Sequence, residues 1–200
     1  MSVRTLKNET GTSYFCTLTN SNWLPLFQIT NFYNKLYDWF DFLKKRGDKI
    51  IGYVFMHDHL HAIIYLQNRS PIINNVIGEA KRLMSYSIVS KLKKLNENDI
   101  LFALQNNVSG YESKKGIIHK VFEDSFDGKE CYSYPFIQQK LNYMHYNPVK
   151  KGMVILPENY IHSSAKFYMT GEQGIYPVTH FVEVYEGVEA YDFSKRFWWN

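Results

Sequence analysis

The chain has 200 residues, enough for one domain, and its 45% hydrophobic content supports a buried core. Its 16 Tyr, 14 Phe and 4 Trp make it rich in aromatics, which serve both a core and a base-stacking surface. A net charge of +4 permits a nucleic-acid partner without requiring one. The 2 cysteines, Cys16 and Cys131, exclude a disulfide framework and point to a reducing, cytoplasmic setting. The polar residues 1–10 and the lack of a long apolar run predict neither a signal peptide nor a membrane span.

Residues 13–19 (SYFCTLT) are rich in β-formers and predict a first strand. Over residues 27–46, Phe32, Leu36, Trp39, Phe40 and Leu43 recur at helical spacing, and Gly47 and Asp48 end that helix. Residues 49–55 and 59–66 predict two more strands, and the short link between them requires an antiparallel hairpin. A second helix is predicted over residues 72–95, with Val76, Ala80, Leu83, Ile88 and Leu92 as its buried stripe and lysines on its other face. Residues 96–116 are polar and asparagine-rich and read as a long insertion. Residues 117–123 (IIHKVFE) resume strand character, 124–132 read as a loop, and 134–147 predict a third helix that Pro148 terminates. The resulting order is strand, helix, strand, strand, helix, strand. It predicts a ferredoxin-like α+β fold: a four-stranded antiparallel sheet with helices on one face, plus an extra C-terminal helix. The domain is expected to span residues 1–170, followed by an irregular, aromatic-rich tail, 171–200, ending in Phe197, Trp198 and Trp199.

The sharpest local feature is Met56-His57-Asp58-His59-Leu60-His61. Residues two apart in a strand share a face, so His59 and His61 point the same way while Leu60 and Ala62 point to the other. Two imidazoles on one face of a strand can ligate a divalent cation, although such a pair also serves as plain polar lining. Asp58 can orient an imidazole through its second nitrogen or serve the turn, and His57 is a neighbour of the ligands or a phosphate contact. The second feature is Tyr143-Met144-His145-Tyr146-Asn147-Pro148-Val149-Lys150. Tyr143 and Asn147 lie one helical turn apart and share a face. That places a phenol able to act as a nucleophile beside an amide oxygen able to meet a cation. The same pair can equally be packing plus a C-terminal cap. Basic residues cluster at Lys81-Arg82, at Lys91, Lys93 and Lys94, and at Lys150-Lys151. They are candidate phosphate contacts as well as ordinary solvated lysines.

The segments GYVFMHDHLHAIIYL and QQKLNYMHYNPVKKGMV, with YFCTLTNSNWLPLF before them and LPENYIHSSAKFY after, resemble the REP-associated tyrosine transposases. That family belongs to the single-tyrosine transposases with a His–hydrophobic–His motif, and the resemblance covers residues 13–168. It implies that His59 and His61 are metal ligands, that Asn147 completes the metal site and that Tyr143 is the nucleophile. It also implies a divalent cation, Mg²⁺ or Mn²⁺, and a single-stranded DNA partner folded as a palindromic hairpin. The protein would be a monomer or a homodimer, with the tyrosine helix serving its own or a partner's metal site. Two segments depart from the family pattern: His57-Asp58 stands where Pro-Asn is common, and Lys120-Val121-Phe122-Glu123 replaces an aromatic-rich stretch. Both bear on target specificity. The expected activity is cleavage and rejoining of DNA through a 5′-phosphotyrosine. The alternatives are a replication-type endonuclease of the same motif, a domesticated hairpin-binding protein that no longer cuts, and an RNA-binding module without chemistry.

Overall fold

The structure, a computed structural model, describes residues 11–67, 72–124 and 128–186. The strands β1 (Thr12–Thr19), β2 (Lys49–Phe55), β3 (His59–Leu66) and β4 (Lys129–Glu130) form one antiparallel sheet in the order β2-β3-β1-β4. This is the ferredoxin-like arrangement predicted. The helices are α1 (Leu26–Ile29), α2 (Tyr33–Lys45), α3 (Ile73–Leu95), α4 (Asn98–Asn106), α5 (Gly110–Lys114), α6 (Tyr134–His145), α7 (Asn147–Lys150), α8 (Ala165–Thr170) and α9 (Phe181–Glu186). Among the described residues, no helix is long and apolar enough to cross a membrane.

Pairing fixes which residues share a face. Thr17 and Val54 both pair with His61, so they sit on its side of the sheet, whereas Cys16 and Tyr53 pair with Ala62 on the other. On the Ala62 side lies α2, with Tyr33, Leu36, Tyr37, Phe40 and Leu43 buried at helical spacing and the Phe40 ring edge-on to Tyr53 at 5.6 Å and tilted against Phe55 at 5.2 Å. Each such side chain contributes roughly 1.5–3 kcal/mol of burial. On the His61 side lies α6. A Cβ on Gly52 would fall 2.5 Å from both Leu141 Cδ2 and Met144 Cε, so the missing side chain is what lets this helix sit down on the sheet.

Several expectations need correction. The helix predicted over 27–46 is broken at Asn31, which is left-handed (φ 47°), while Thr30 Oγ1 donates to the Leu26 carbonyl at 2.6 Å. Phe32 thereby folds back onto Phe27, which preserves the apolar spacing across the break. In α3, Leu83 is 55% exposed and Met84 is buried instead. Residues 96–116 are helical rather than irregular. A capping box between Ser109 and Glu112 starts α5, and Leu104 anchors α4 in the core. Residues 117–123 do not form the fourth strand. Phe122 makes an isolated bridge to Asn20, Ile118 is exposed, and the sheet edge is completed by β4 on Tyr14 and Phe15. Pro148 does not stop helical geometry. Lacking an N–H, it interrupts the ladder after α6, and α7 adds one further turn. Residues 171–186, expected to be irregular, carry α9 and bury Tyr176, Val178 and Phe181. Phe197, Trp198 and Trp199 lie outside the described residues.

Candidate active site

The site forms where β3 passes under α6. Asn147 Nδ2 lies 3.1 Å from His59 Nε2 and 3.1 Å from His61 Nε2, so one amide meets both imidazoles. The other ring nitrogens are already engaged. His59 Nδ1 is 2.5 Å from Asp58 Oδ1, and His61 Nδ1 is 2.8 Å from Thr17 Oγ1. With both Nδ1 atoms protonated and donating, both Nε2 lone pairs face the same point. Burial, with the charges of His59 and Lys140 added, pushes His61 down to about 3. Burial also lowers His59, against the opposing pull of Asp58. Both rings are therefore neutral at physiological pH, the form a metal ligand requires.

These donors fit a divalent cation. Rotating the Asn147 amide brings its oxygen where the nitrogen stands, which gives two imidazole nitrogens and one oxygen. Each imidazole nitrogen lies 3.1 Å from that amide position, close enough for the three atoms to share one cation. Among the described residues no group of three or more His, Cys, Asp or Glu is placed to hold a metal ion, so the two imidazoles would need the Asn147 oxygen as a third donor.

Tyr143 stands beside this set. Its ring centroid is 5.2 Å from that of His61 and 6.3 Å from that of Phe15, and the side chain is 48% exposed, so its hydroxyl is reachable. Phe15 in turn stacks on His61 at 5.4 Å. Three cations stand around the site. Lys150 Nζ is 5.6 Å from its ring centre, Lys140 Nζ lies 4.9 Å over Phe15, and Lys151 acts electrostatically on His59.

The helix is held two residues beyond Tyr143. His145 is fully buried, and its Nε2 lies 2.9 Å from Ser164 Oγ. Ser164 Oγ also accepts from the Tyr53 amide at 2.9 Å, and residues 162–164 pair along the free edge of β2 through Phe55 N to His162 O and Ser164 N to Tyr53 O. The tyrosine helix thus docks on the histidines of its own chain.

The structure brings together His59, His61, Asn147, Tyr143, Asp58, Lys150 and Lys151. His57 lies apart from this set: its carbonyl accepts from Phe27 N, and its charge acts on His162. Lys81 is not a free cation, because its ammonium donates to the Glu123 carbonyl at 2.8 Å in a half-buried setting. Arg82 faces Glu79 at 3.9 Å on an exposed surface. Lys91, Lys93 and Lys94 are exposed on α3. With Tyr86, Ile117 and Ile118, Lys93 lines a cleft of about 690 Å³ between α3 and residues 112–124. The sequence reading missed Thr17, Lys140 and Phe15. The β-pairing of Thr17 with His61, and the spacing of Lys140 three before Tyr143, were the available signals.

No protein-family model and no curated protein matches the chain. A solved structure does: a REP-associated tyrosine transposase bound to a REP hairpin, with a TM-score of 0.51 and 16% identity, covering 97% of this chain and 96% of that one. The chain therefore has the fold of that transposase.

Proposed function

We propose that this protein is a metal-dependent nuclease and strand transferase that cuts and rejoins single-stranded DNA at hairpin, REP-like sequences through Tyr143. The observation that carries this reading is the convergence of four side chains from two distant segments: the neutral Nε2 atoms of His59 and His61, the Asn147 amide and the exposed Tyr143 ring. The hairpin bound by the structurally similar transposase supports the choice of substrate.

His59, His61 and Asn147 would hold Mg²⁺ or Mn²⁺. When bound, the cation would polarise the scissile phosphate. Asp58 and Thr17 keep the two imidazoles in the required tautomer and orientation. Tyr143 Oη attacks phosphorus and loses its proton to solvent or a nearby base, and the P–O3′ bond breaks. The 3′ oxygen leaves as a hydroxyl once it has taken up a proton. The 5′-phosphotyrosine preserves the phosphodiester's energy, so another 3′-hydroxyl can attack it, rejoin the strand and release Tyr143. Lys150, over the tyrosine ring, and Lys151, acting on His59, attract the phosphate to the site.

The test is incubation of the full chain with a labelled single-stranded hairpin oligonucleotide, in Mg²⁺ or EDTA, followed by a denaturing gel. A covalent protein–DNA adduct that requires metal and is absent in Tyr143→Phe is the expected result. An adduct that persists in Y143F would move the nucleophile to Tyr146. Hairpin binding without any adduct, across several hairpins, would replace the reading with a non-cutting binder.

A further inference from the structure

We propose that Trp23 is a nucleobase platform, its indole stacking on the base next to the phosphate that Tyr143 attacks. This rests on the reading of the site as a single-strand nuclease. It adds a substrate contact on the side of the metal-ligand pair away from the tyrosine helix.

Trp23 is 58% exposed, yet its ring centroid lies 5.4 Å from that of the nearly buried His59, with the planes at 78°. A large aromatic left in water beside a buried histidine pair is not core packing. Its backbone is also strained. Trp23 has φ 56° and Asn22 before it φ 53°, two consecutive left-handed residues. Asparagine tolerates that region, whereas a bulky residue does so only where the surroundings impose it.

The surroundings do impose it. Asn20 N donates to the Asp58 carbonyl at 2.8 Å, which ties the turn to the residue that orients His59. Trp23 N donates to Asn20 O at 3.0 Å, and Asn20 Nδ2 donates to Leu24 O at 3.1 Å. From outside the turn, Asn22 N donates to Glu123 Oε1 at 2.8 Å and Asn22 Nδ2 to Asn107 Oδ1 at 3.0 Å. Asn107 Nδ2 then donates to Ser21 Oγ at 3.1 Å. The segment 96–116, read from sequence as an insertion, supplies the bracing residue. So much bracing spent on holding one exposed indole beside His59 is accounted for by a flat ligand with a π-face. Single-stranded DNA brings one with every base, whatever the sequence.

The experiment is an abasic scan. A fluorescent single-stranded oligonucleotide with its hairpin is made with one base removed at each unpaired position in turn. Binding is measured by anisotropy in Mg²⁺ on Y143F, which leaves the DNA intact, and on Y143F carrying Trp23→Ala or Trp23→Phe. Adduct formation is measured on the parent and on W23A. Thermal melts establish that the exposed substitution leaves the fold intact.

We expect W23A to weaken binding to the intact oligonucleotide roughly ten- to hundredfold and W23F to restore most of it. Removing the base beside the cleaved phosphate should cost as much in Y143F and nothing further in the W23A variant, because the two changes delete one contact. Abasic profiles that superimpose in the two backgrounds overturn the platform. If the adduct forms and the profiles superimpose, the platform fails while the nuclease reading stands. If no oligonucleotide gives an adduct yet W23A erases one abasic penalty, the platform stands and the nuclease reading fails.

Discussion

The seating of the helix that carries Tyr143 depends on one serine. Ser164 Oγ accepts from the buried Tyr53 amide, meets His145 Nε2 at 2.9 Å and reaches the Tyr53 carbonyl at 3.2 Å. Ser164→Ala removes the hydroxyl without adding bulk and leaves the Tyr53 N–H and the His145 ring buried and unpaired. Each orphaned group costs about 1–3 kcal/mol, so the variant should lose roughly 2–6 kcal/mol. In a chain of this size that is a fall in Tm of about 4–24 °C. His145 Nδ1 already has no hydrogen-bond partner, so the imidazole is under-satisfied even in the parent. His145→Phe in the S164A background removes the polar ring that lost its partner and should recover part of the loss, giving a non-additive double-mutant cycle. Urea unfolding measures the stabilities, and adduct formation on a hairpin oligonucleotide reports whether Tyr143 is still in place. S164A within about 0.5 kcal/mol of the parent, or strict additivity with H145F, would refute the role given to this contact.

Thr17→Val and Asp58→Ala should each weaken Mn²⁺ binding about 10–100-fold, read by titration calorimetry, because each releases an imidazole from its fixed orientation. Mn²⁺ should raise the Tm of the parent and leave that of His59→Ala unchanged. Gly52→Val should lower the adduct rate and the Tm together, because its side chain occupies the space of Leu141 and Met144 under α6. In EDTA, stability should fall as pH drops below 6.5. The unfolded chain then takes up protons on His61 and His145, which the folded chain holds at about 3. At pH 5 each histidine costs up to about 2 kcal/mol relative to pH 7, and a Tm that does not move between those pH values would contradict the burial assigned to them.

Local pattern was enough to single out the two residue pairs that the structure brings together. His59 and His61 share a strand face by parity, and Tyr143 and Asn147 share a helix face by spacing, so the structure only had to bring the two faces together. What stayed hidden depends on tertiary pairing. Thr17 reaches His61 because β1 is the neighbour of β3 in that register, a relation no local window contains. Ser164 is remote from β2 in sequence, and only its place on the free edge reveals that it holds His145. Residues 117–123 look like a strand by composition. Their apolar side chains instead serve the end of β1, through the bridge of Phe122, and the cleft against α3, through Ile117 and Ile118. Leu83 and Met84 differ by one position on α3, and a stripe drawn from period alone does not fix which of two adjacent apolar residues faces inward.

The site is completed within one chain, and the reason is mechanical. Asn147 and His59 are 88 residues apart, and hydrogen-bond distance between them requires α6 to be held along its length. At one end, Ser133 caps the helix just after β4 has paired with Tyr14 and Phe15. In the middle, Leu141 and Met144 fill the hollow left by Gly52. At the other end, His145 is bonded to Ser164, which is itself stitched to β2. The middle and far attachments face the sheet, while Tyr143 remains half exposed on the same helix. A helix seated by its neighbours' side chains, and not by the tyrosine's own, would let the proposed covalent step at the phenol proceed without unseating the Asn147 amide beside the two histidines.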